Sequence, residues 1–344
     1  MKKGRIIILI ALVLVFAAGI FGFEFWKGLF GPGKKFDNGD RIVLIPTGSG
    51  FDQVVDSLKA AGLVKNESTL RWLAKRKKYV EHVRPGRYRV PSGTSLNTLL
   101  NKLRSGEQDP VRVTFTNIKN LPQLAGQVAK YIEPDSLQMI QAINDPATIQ
   151  RLGFKPETMI ALFIPNTYEV WWTERPQAFL ERMAREYRKY WTEERKAKAK
   201  KLGLSQSEVS TLASVVQAET AQIGDAPIIA GVYLNRIRIG MPLQADPTLK
   251  YALGLDSLNR IWDTDKRVDS PYNTYSHTGL PPGPINLPEA RFLDATLNAP
   301  KHDYLYFCAK EDLSGYSNFA RTYEQHQVNA RRYHRALNER GIYR

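Results

Sequence analysis

The stretch that decides the fold is Ser205–Ile223, SQSEVSTLASVVQAETAQI, in the second half of the 344-residue chain. Ser205 and Glu208 have the spacing of a capping box, so the sequence predicts that a helix begins here. Glu219 then continues an apolar face whose members recur at helical spacing, namely Val209, Leu212, Ala213 and Val216. The pattern predicts a core helix that carries one carboxyl group on its apolar side.

The chemistry of such a carboxyl group makes Glu219 the candidate catalytic residue. Burial of an ionised carboxyl group is costly, and desolvation raises its pKa so that it keeps a proton near neutral pH. A protonated carboxyl group beside a cleft can act as a general acid. A structural alternative stays open, in which Glu219 lies at the edge of the apolar face and pairs with Arg236 or Arg238.

The sequence after this helix carries several short motifs in a fixed order. They are Glu219-Thr220, Asn235-Arg236-Ile237, GMPLQADPT from Gly240 to Thr248, Tyr272-Asn273-Thr274-Tyr275, GLPPGPI from Gly279 to Ile285, and Tyr304-Leu305-Tyr306-Phe307. In these motifs the chain resembles the MltG (YceG-like) family of membrane-anchored endolytic murein transglycosylases. The resemblance covers the C-terminal half in detail and the whole chain in layout. The segment Met159–Tyr168 departs from the family pattern, so we expect no catalytic role there.

The resemblance implies a lytic transglycosylase in which Glu219 is the only acid and base. Glu219 would protonate the oxygen of the β-1,4 bond between N-acetylmuramic acid and N-acetylglucosamine. It would then accept the proton of the muramic C6 hydroxyl, which attacks C1 and closes a 1,6-anhydro ring. No metal or cofactor is expected. The residues expected to contact the glycan are Asn235, Gln244, Asp246, Tyr272, Asn273, Thr274, Tyr275 and Tyr306.

Some of these residues have equally simple structural interpretations. Asp246 before Pro247 is typical of a helix N-cap, and Asn235 or Gln244 could hold a loop. Two other functions also stay open. One is a hydrolase in which Asp246 activates water beside Glu219, which the spacing of the two carboxyl groups would decide. The other is a non-catalytic scaffold that binds the cell wall through residues 41–106.

The N-terminus predicts a membrane anchor. A basic tail, residues 1–5, precedes the uncharged apolar run Ile6–Phe23, which is long enough to cross a bilayer as a helix. The basic residues predict a single span with the N-terminus inside and the rest of the chain outside. Together with the resemblance, this implies a protein of the bacterial inner membrane with its catalytic domain on the periplasmic side. A cleaved signal peptide with a processing site near Ala17-Ala18-Gly19 is the alternative. The resemblance also suggests penicillin-binding protein synthases as partners.

An internal repeat indicates a small α/β module after the anchor. IPTGSGF from Ile45 and VPSGTSL from Val90 each join a short strand to an amphipathic helix. The module resembles the LysM-like domain of the same family, for which glycan binding and simple positioning are both open. We therefore expect an α+β fold with these parts: a cytoplasmic tail 1–5, a transmembrane anchor 6–26, a linker 27–40, a LysM-like module 41–108, a connecting region 109–204 and a catalytic domain 205–344.

The composition of the chain limits the classes of partner that we expect it to bind. The net charge of +15 indicates an anionic partner, but the chain has no zinc-ligand cluster and no RNP-like run, so we expect no nucleic acid. Cys308 is the only cysteine and is interpreted as an inert structural thiol. Patterning further predicts one long helix over Arg175–Leu202, a helix 226–239 capped by Asp225, and a solvated or structural role for His326.

Overall fold

The structure is a computed structural model that describes residues 2–37, 39–255 and 261–342, with side chains described from Ile6 onward. Parts of three predicted domains therefore lie outside the described residues: Met1 of the tail, Asn38 of the linker, and residues 256–260, Tyr343 and Arg344 of the catalytic domain. The described chain consists of helices and short strands that pair in twos. The mixed α+β class predicted from the sequence is confirmed.

The helices and strands follow one another along the whole chain. The helices are α1 (Lys2–Phe30), α2 (Phe51–Ala60), α3 (Glu67–Arg76), α4 (Leu96–Ser105), α5 (Leu121–Ala129), α6 (Ser136–Asn144), α7 (Pro146–Leu152), α8 (Pro176–Tyr190), α9 (Glu193–Leu202), α10 (Gln206–Glu219), α11 (Ala226–Arg238), α12 (Asp246–Leu253), α13 (Ala290–Leu297) and α14 (Tyr323–Glu339). The strands are β1 (Arg41–Ile45), β2 (Gly86–Val90), β3 (Val111–Thr114), β4 (Thr167–Val170), β5 (Tyr306–Ala309) and β6 (Ser317–Ala320). Short 3-10 helices lie at Pro156–Leu162 and Asp265–Arg267.

The chain forms two compact units. The first contains the described residues up to Arg112 together with 131–134 and 169–174. The second contains residues 113–130, 135–168 and the described residues from Arg175 onward. Every residue predicted to contact the glycan belongs to the second unit.

The first unit is built on the predicted repeat. Strand β1 pairs antiparallel with β2, with Arg41 opposite Val90 and Ile45 opposite Gly86. Each strand leads through a turn with a glycine at positive φ into a helix, β1 into α2 and β2 into α4. Gly48 has φ 82° and Gly93 φ 81°, a conformation that glycine adopts without a steric penalty. The strand–turn–helix repeat is therefore confirmed at the level of secondary structure.

Helix α1 is longer than the predicted apolar run. Its segment Ile6–Phe30 is long and apolar enough to cross a membrane, and the helix continues past Phe23 because its last turns have a protein partner. Leu29 is buried in the core of the first unit, and the ring of Phe25 packs edge-on against that of Trp72, with centroids 5.0 Å apart. After the helix, the backbone N–H of Gly33 donates to the carbonyl of Gly93 at 2.9 Å.

Helix α10 lies at the centre of the second unit and starts as predicted. The backbone N–H of Ser205 donates to Glu208 Oε2 at 2.7 Å, and the N–H of Glu208 donates to Ser205 Oγ at 3.3 Å. Residues 209–216 are all buried, so the helix is enclosed on every side rather than on one face. Buried Ser210 and Thr211 are tolerated because their hydroxyls donate to backbone carbonyls one turn earlier.

The predicted long helix over 175–202 is wrong, because it is broken into α8 and α9. Trp191 leaves the helical conformation with ψ 72° and is buried in the core. Thr192 then caps a new helix, and its Oγ1 accepts from the backbone N–H of Arg195 at 3.3 Å. Burial of one large aromatic side chain and a strong cap outweigh the continuous helical pattern.

Candidate active site

Glu219 is the last residue of α10, and its carboxyl group faces α11. The hydroxyl of Tyr233 donates to Glu219 Oε1 at 2.9 Å. The residue is half-buried, and desolvation by the surrounding protein raises the pKa of its carboxyl group to about 7. The hydrogen bond from Tyr233 and the charges of Arg236 and Lys250 lower this pKa, whereas the charge of Asp246 raises it. A large fraction of the carboxyl groups is therefore protonated at neutral pH.

Arg236 supports the site without pairing with Glu219. Its Nε donates to the carbonyl of Leu305 at 2.7 Å and its Nη1 to that of Leu243 at 2.6 Å. Arg238 donates instead to the side chain of Asn235. Among the described residues Glu219 makes no ion pair, so the alternative of a structural salt bridge is not observed. Arg236 instead joins the segment before α12 to the start of β5.

Glu219 opens into a cleft of about 380 Å³. We call it the Glu219 cleft, and its lining is Glu219, Tyr233, Arg236, Leu243, Gln244, Asp246, Tyr275, Tyr306, Phe307, Tyr323 and His326. One wall is aromatic: Tyr306 stacks on His326 with centroids 5.5 Å apart, and Tyr323 lies 5.8 Å from Tyr306. Flat rings with apolar faces suit the C–H faces of sugar rings.

Asp246 lies in the same cleft. Helix α12 begins at Asp246 itself and Ala245 occupies the N-cap position without a side-chain bond, so the N-cap interpretation of Asp246 is wrong. The carboxylate instead accepts a hydrogen bond from Tyr275 Oη at 2.6 Å. Gln244 is exposed to the cleft and has φ 52°, an uncommon conformation for a residue with a side chain.

Comparison with known proteins identifies the family. A sequence profile of the YceG-like family matches residues 43–332. The chain belongs to the YceG-like family. It is 30% identical over 336 residues to the endolytic murein transglycosylase of Bacillus subtilis, an alignment that covers 92% of this chain and 91% of that protein.

Two further comparisons agree with this assignment. The YceG-like chain is 28% identical over 355 residues to the endolytic murein transglycosylase of Streptococcus pneumoniae, covering 93% of this chain but 63% of that longer protein. It also resembles the 2.6 Å crystal structure of a YceG-like protein from Listeria monocytogenes. That match has a TM-score of 0.56 and 25% identity, and covers 84% of this chain and 98% of the other.

Some predicted contact residues of this YceG-like protein do not line the Glu219 cleft. The amide of Asn235 donates to the carbonyls of His302 and Tyr304, and that of Asn273 donates to the carbonyls of Lys266 and Val268. Thr274 Oγ1 accepts from the backbone N–H of Ala245 at 3.0 Å. These side chains fix the loops around the cleft.

The three aromatic residues predicted to contact sugar separate into two groups. Tyr275 and Tyr306 line the Glu219 cleft. Tyr272 does not, since its ring packs against Tyr251 with centroids 4.7 Å apart. The Tyr272–Tyr275 loop therefore contributes one ring to the cleft and uses its other side chains for packing.

Several cleft residues were not found from the sequence. Tyr233 has the pattern of a core residue of α11, and Tyr323 and His326 belong to a helix whose charged composition indicates solvent. His326 is partly buried against Tyr306, and burial lowers the pKa of its imidazole below the ordinary value. The solvated interpretation of His326 is therefore wrong, because α14 packs on β5 and brings its first turn to the cleft.

Two other side chains differ from their predicted roles. Asp225 stands at the N-cap position of α11 without a cap bond, and its Oδ2 accepts from the backbone N–H of Ser317 at 2.6 Å. Cys308 in β5 is partly rather than fully buried, and this burial raises the pKa of its thiol. No group of three or more His, Cys, Asp or Glu side chains able to hold a metal occurs in the described part of the chain.

Proposed function

We propose that this protein is an endolytic murein transglycosylase that cleaves the β-1,4 bond between N-acetylmuramic acid and N-acetylglucosamine and leaves 1,6-anhydro ends. The observation that carries the proposal is the carboxyl group of Glu219, which is partly buried, has a pKa of about 7 and opens into a cleft with an aromatic wall. The family assignment and the named activity of the Bacillus subtilis relative support it.

The reaction needs one group that first gives and then takes a proton. Glu219 protonates the glycosidic oxygen as the bond from that oxygen to muramic C1 breaks. The muramic C6 hydroxyl then attacks C1, a new C1–O6 bond forms, and the hydroxyl proton passes to the Glu219 carboxylate. The atoms balance without water, and Glu219 returns to its starting state. A pKa near neutrality suits both transfers, because it costs little to populate either form.

Tyr233 orients this carboxyl group. Its hydroxyl donates to Oε1, so Oε1 is an acceptor and the acidic proton resides on Oε2. After the first transfer the same hydrogen bond stabilises the carboxylate that must collect the second proton. Tyr233 thus acts as a positioning residue in both steps.

A hydrolase is the second candidate, and one observation favours it. The carboxylate of Asp246 lies in the Glu219 cleft and its charge acts on Glu219. In that mechanism Asp246 would activate a water molecule while Glu219 protonates the leaving oxygen. The two reactions differ in their products, since a hydrolase leaves reducing ends.

Mass analysis of muropeptides after digestion of purified murein separates the candidates. We expect 1,6-anhydro ends from the wild-type protein. A Glu219→Gln variant should lose at least about 10²–10⁴-fold in rate, the range expected for loss of acid–base catalysis. Glu339→Gln, the same chemical change on an exposed residue of α14, should be as active as wild type. Reducing ends would show a hydrolase, and undigested murein a scaffold.

We also propose that residues 41–108 form a LysM-like module that positions the glycan. The module follows the linker 27–40 and precedes the catalytic part, which consists of a connecting region 109–204 and a catalytic domain 205–344. The strand–turn–helix repeat supports this proposal. Full-length Glu219→Gln protein should bind insoluble murein, and a variant without residues 41–106 should bind less. High salt must be included, because a basic protein binds anionic walls nonspecifically. Unchanged salt-resistant binding by the deletion variant would exclude a glycan-binding role.

The location follows from the N-terminal helix. We propose that α1 anchors the protein in the bacterial inner membrane, with residues 1–5 in the cytoplasm and the catalytic part on the periplasmic side. The basic residues ahead of the apolar run support this orientation. A role in terminating new glycan strands beside penicillin-binding protein synthases is part of the proposal and rests on family resemblance alone.

A further inference from the structure

A second cleft is lined by Ala218 and Pro247, the sequence neighbours of Glu219 and Asp246. It has a volume of about 350 Å³, and we call it the Lys250 cleft. Its lining includes Lys119, Gln217, Ala218, Pro247, Lys250 and Asn286. Ala218 precedes Glu219 and Pro247 follows Asp246, so the same two points of the chain border both clefts. A strand bound across Glu219 would enter the Lys250 cleft on one side.

The lining of the Lys250 cleft is polar and has unused hydrogen-bonding capacity. Asn286 donates through Nδ2 to the carbonyl of Ser214 at 2.9 Å, whereas its buried Oδ1 has no partner among the described residues. Gln217 Oε1 accepts from the backbone N–H of Glu289 at 2.7 Å, and its NH₂ group makes no hydrogen bond within the described chain. Side-chain amides of this kind suit sugar hydroxyls and acetamido groups.

Lys250 is one of two lysines that line the cleft, the other being Lys119. Lys250 is half-buried on α12, and its ammonium group makes no hydrogen bond or ion pair with any described residue. Among the described lining residues there is no Asp or Glu to neutralise it. The charge of Lys250 acts on the carboxyl group of Glu219. A partly desolvated cation without an ion-pair partner among the described residues favours an anionic ligand.

We propose that the Lys250 cleft binds a carboxylate carried by the muramic acid of the strand, with Lys250 as its partner. The inference rests on the proposed function and deepens it. Muramic acid differs from N-acetylglucosamine by a lactyl ether. Its carboxyl group is either free or joined to a peptide that carries carboxylates of its own. Recognition of this group distinguishes the two alternating sugars and sets which of the two glycosidic bonds lies beside Glu219.

Binding measurements with the full-length Glu219→Gln protein test the proposal without cleavage. Three ligands are compared at fixed salt: soluble strands with peptides, the same strands after amidase treatment, and carboxylate-free N-acetylglucosamine oligomers. Adding Lys250→Met should weaken binding of a carboxylate-bearing strand about tenfold, as expected for one charge-assisted hydrogen bond, and leave the oligomers unaffected. Lys250→Arg should restore much of the affinity. Lys201→Met, an exposed lysine of α9, controls for net charge.

The pattern of losses identifies the carboxylate. If Lys250→Met weakens binding of peptide-bearing strands only, Lys250 binds a carboxylate of the peptide. If it weakens binding of amidase-treated strands only, Lys250 binds the lactyl carboxylate. The proposal is overturned if Lys250→Met behaves as Lys201→Met, if the oligomers lose as much affinity, or if neither strand binds. The function itself is judged separately, from the anhydro ends that the wild-type protein releases.

Discussion

At the scale of single residues, the chemistry depends on how far water is kept from one carboxyl group. Opposing influences act on Glu219: burial and the charge of Asp246 favour the protonated form, while Tyr233, Arg236 and Lys250 favour the carboxylate. Burial is the largest of these influences, and the resulting pKa is about 7. In the proposed mechanism the first proton transfer needs the protonated form of Glu219 and the second needs its carboxylate. Tyr233 and Asp246 can each be changed by a substitution that keeps the shape of the site.

The pH dependence of cleavage follows from this balance. The first step of the proposed mechanism needs protonated Glu219, so kcat/KM should fall above about pH 7, by about tenfold per pH unit for loss of a single proton. Tyr233→Phe removes a hydrogen bond that stabilises the carboxylate. This raises the pKa of Glu219 and moves the fall in kcat/KM, the alkaline limb of the pH profile, to higher pH. Asp246→Asn removes a negative charge, which lowers that pKa and moves the limb to lower pH.

Initial rates on purified murein between about pH 5 and pH 9 measure these shifts. Glu339→Gln serves as the control, since its carboxyl group is exposed on α14 and far along the chain from the site. Limbs that move in the same direction for Tyr233→Phe and Asp246→Asn would contradict the assignment of the limb to Glu219.

The candidate acid could be predicted from the sequence, but most of its surroundings could not. The capping box at Ser205 marks the start of α10, and Glu219 continues the helical spacing of its apolar residues. Tyr233 and His326 lie on other helices, and their approach to Glu219 depends on how α11 and α14 pack. A local pattern carries no information about such contacts. Asn273 was predicted to contact the glycan because its amide suits sugar hydroxyls, but that amide donates to two backbone carbonyls instead.

At the scale of elements, the cleft depends on the close approach of α11 to the segment before β5. A Cβ atom at Gly231 would collide with the imidazole of His302. That imidazole accepts from the backbone N–H of Tyr304 through Nδ1 at 3.1 Å, so its Nε2 carries the proton and donates to the carbonyl of Ile228 at 3.0 Å. The contact fixes where β5 begins, and β5 carries Tyr306 and Phe307 into the cleft.

Two glycine substitutions test this contact. Gly231→Ala should destabilise the protein by about 1–3 kcal/mol, as overpacking does, although alanine favours helices. Gly126→Ala in α5 is the matched control, because a Cβ atom there would have no neighbour within 4 Å, and it should stabilise by about 0.5–1 kcal/mol. Thermal unfolding of the detergent-solubilised chain measures both. Equal effects of the two substitutions on stability would show that the imidazole of His302 moves aside without destabilising the protein.

Element boundaries were predictable where a local signal existed. Helix α10 was predicted to begin at the Ser205 capping box, and it begins at Gln206 with Ser205 as its N-cap. The break between α8 and α9 was missed because the helical pattern runs through it, and only the burial of Trp191 in the core interrupts the helix. Long-range packing, rather than propensity, decides such a position.

At the scale of the whole molecule, two features can hold the protein at a membrane. The net charge of +15 attracts it to anionic surfaces, an interaction that salt screens within about 10 Å at 0.1 M. In the proposed anchor the apolar run Ile6–Phe23 of α1 enters the bilayer core, and this hydrophobic interaction is insensitive to salt. Salt therefore separates the two contributions.

The full-length protein should remain with membranes in about 1 M salt, where the screening length falls to about 3 Å, and protease added to spheroplasts should digest the part after α1. Placing charges in the span by Leu12→Arg with Val15→Arg should release the protein, since each arginine near the centre costs about 2.5–3.5 kcal/mol. Lys200→Met with Lys201→Met is the control, because it changes the net charge on exposed residues of α9 and leaves the span intact. Release of the wild-type protein by salt would show that charge holds it at the surface. A soluble mature form beginning near Gly19 would show instead that the apolar run is a cleaved signal peptide.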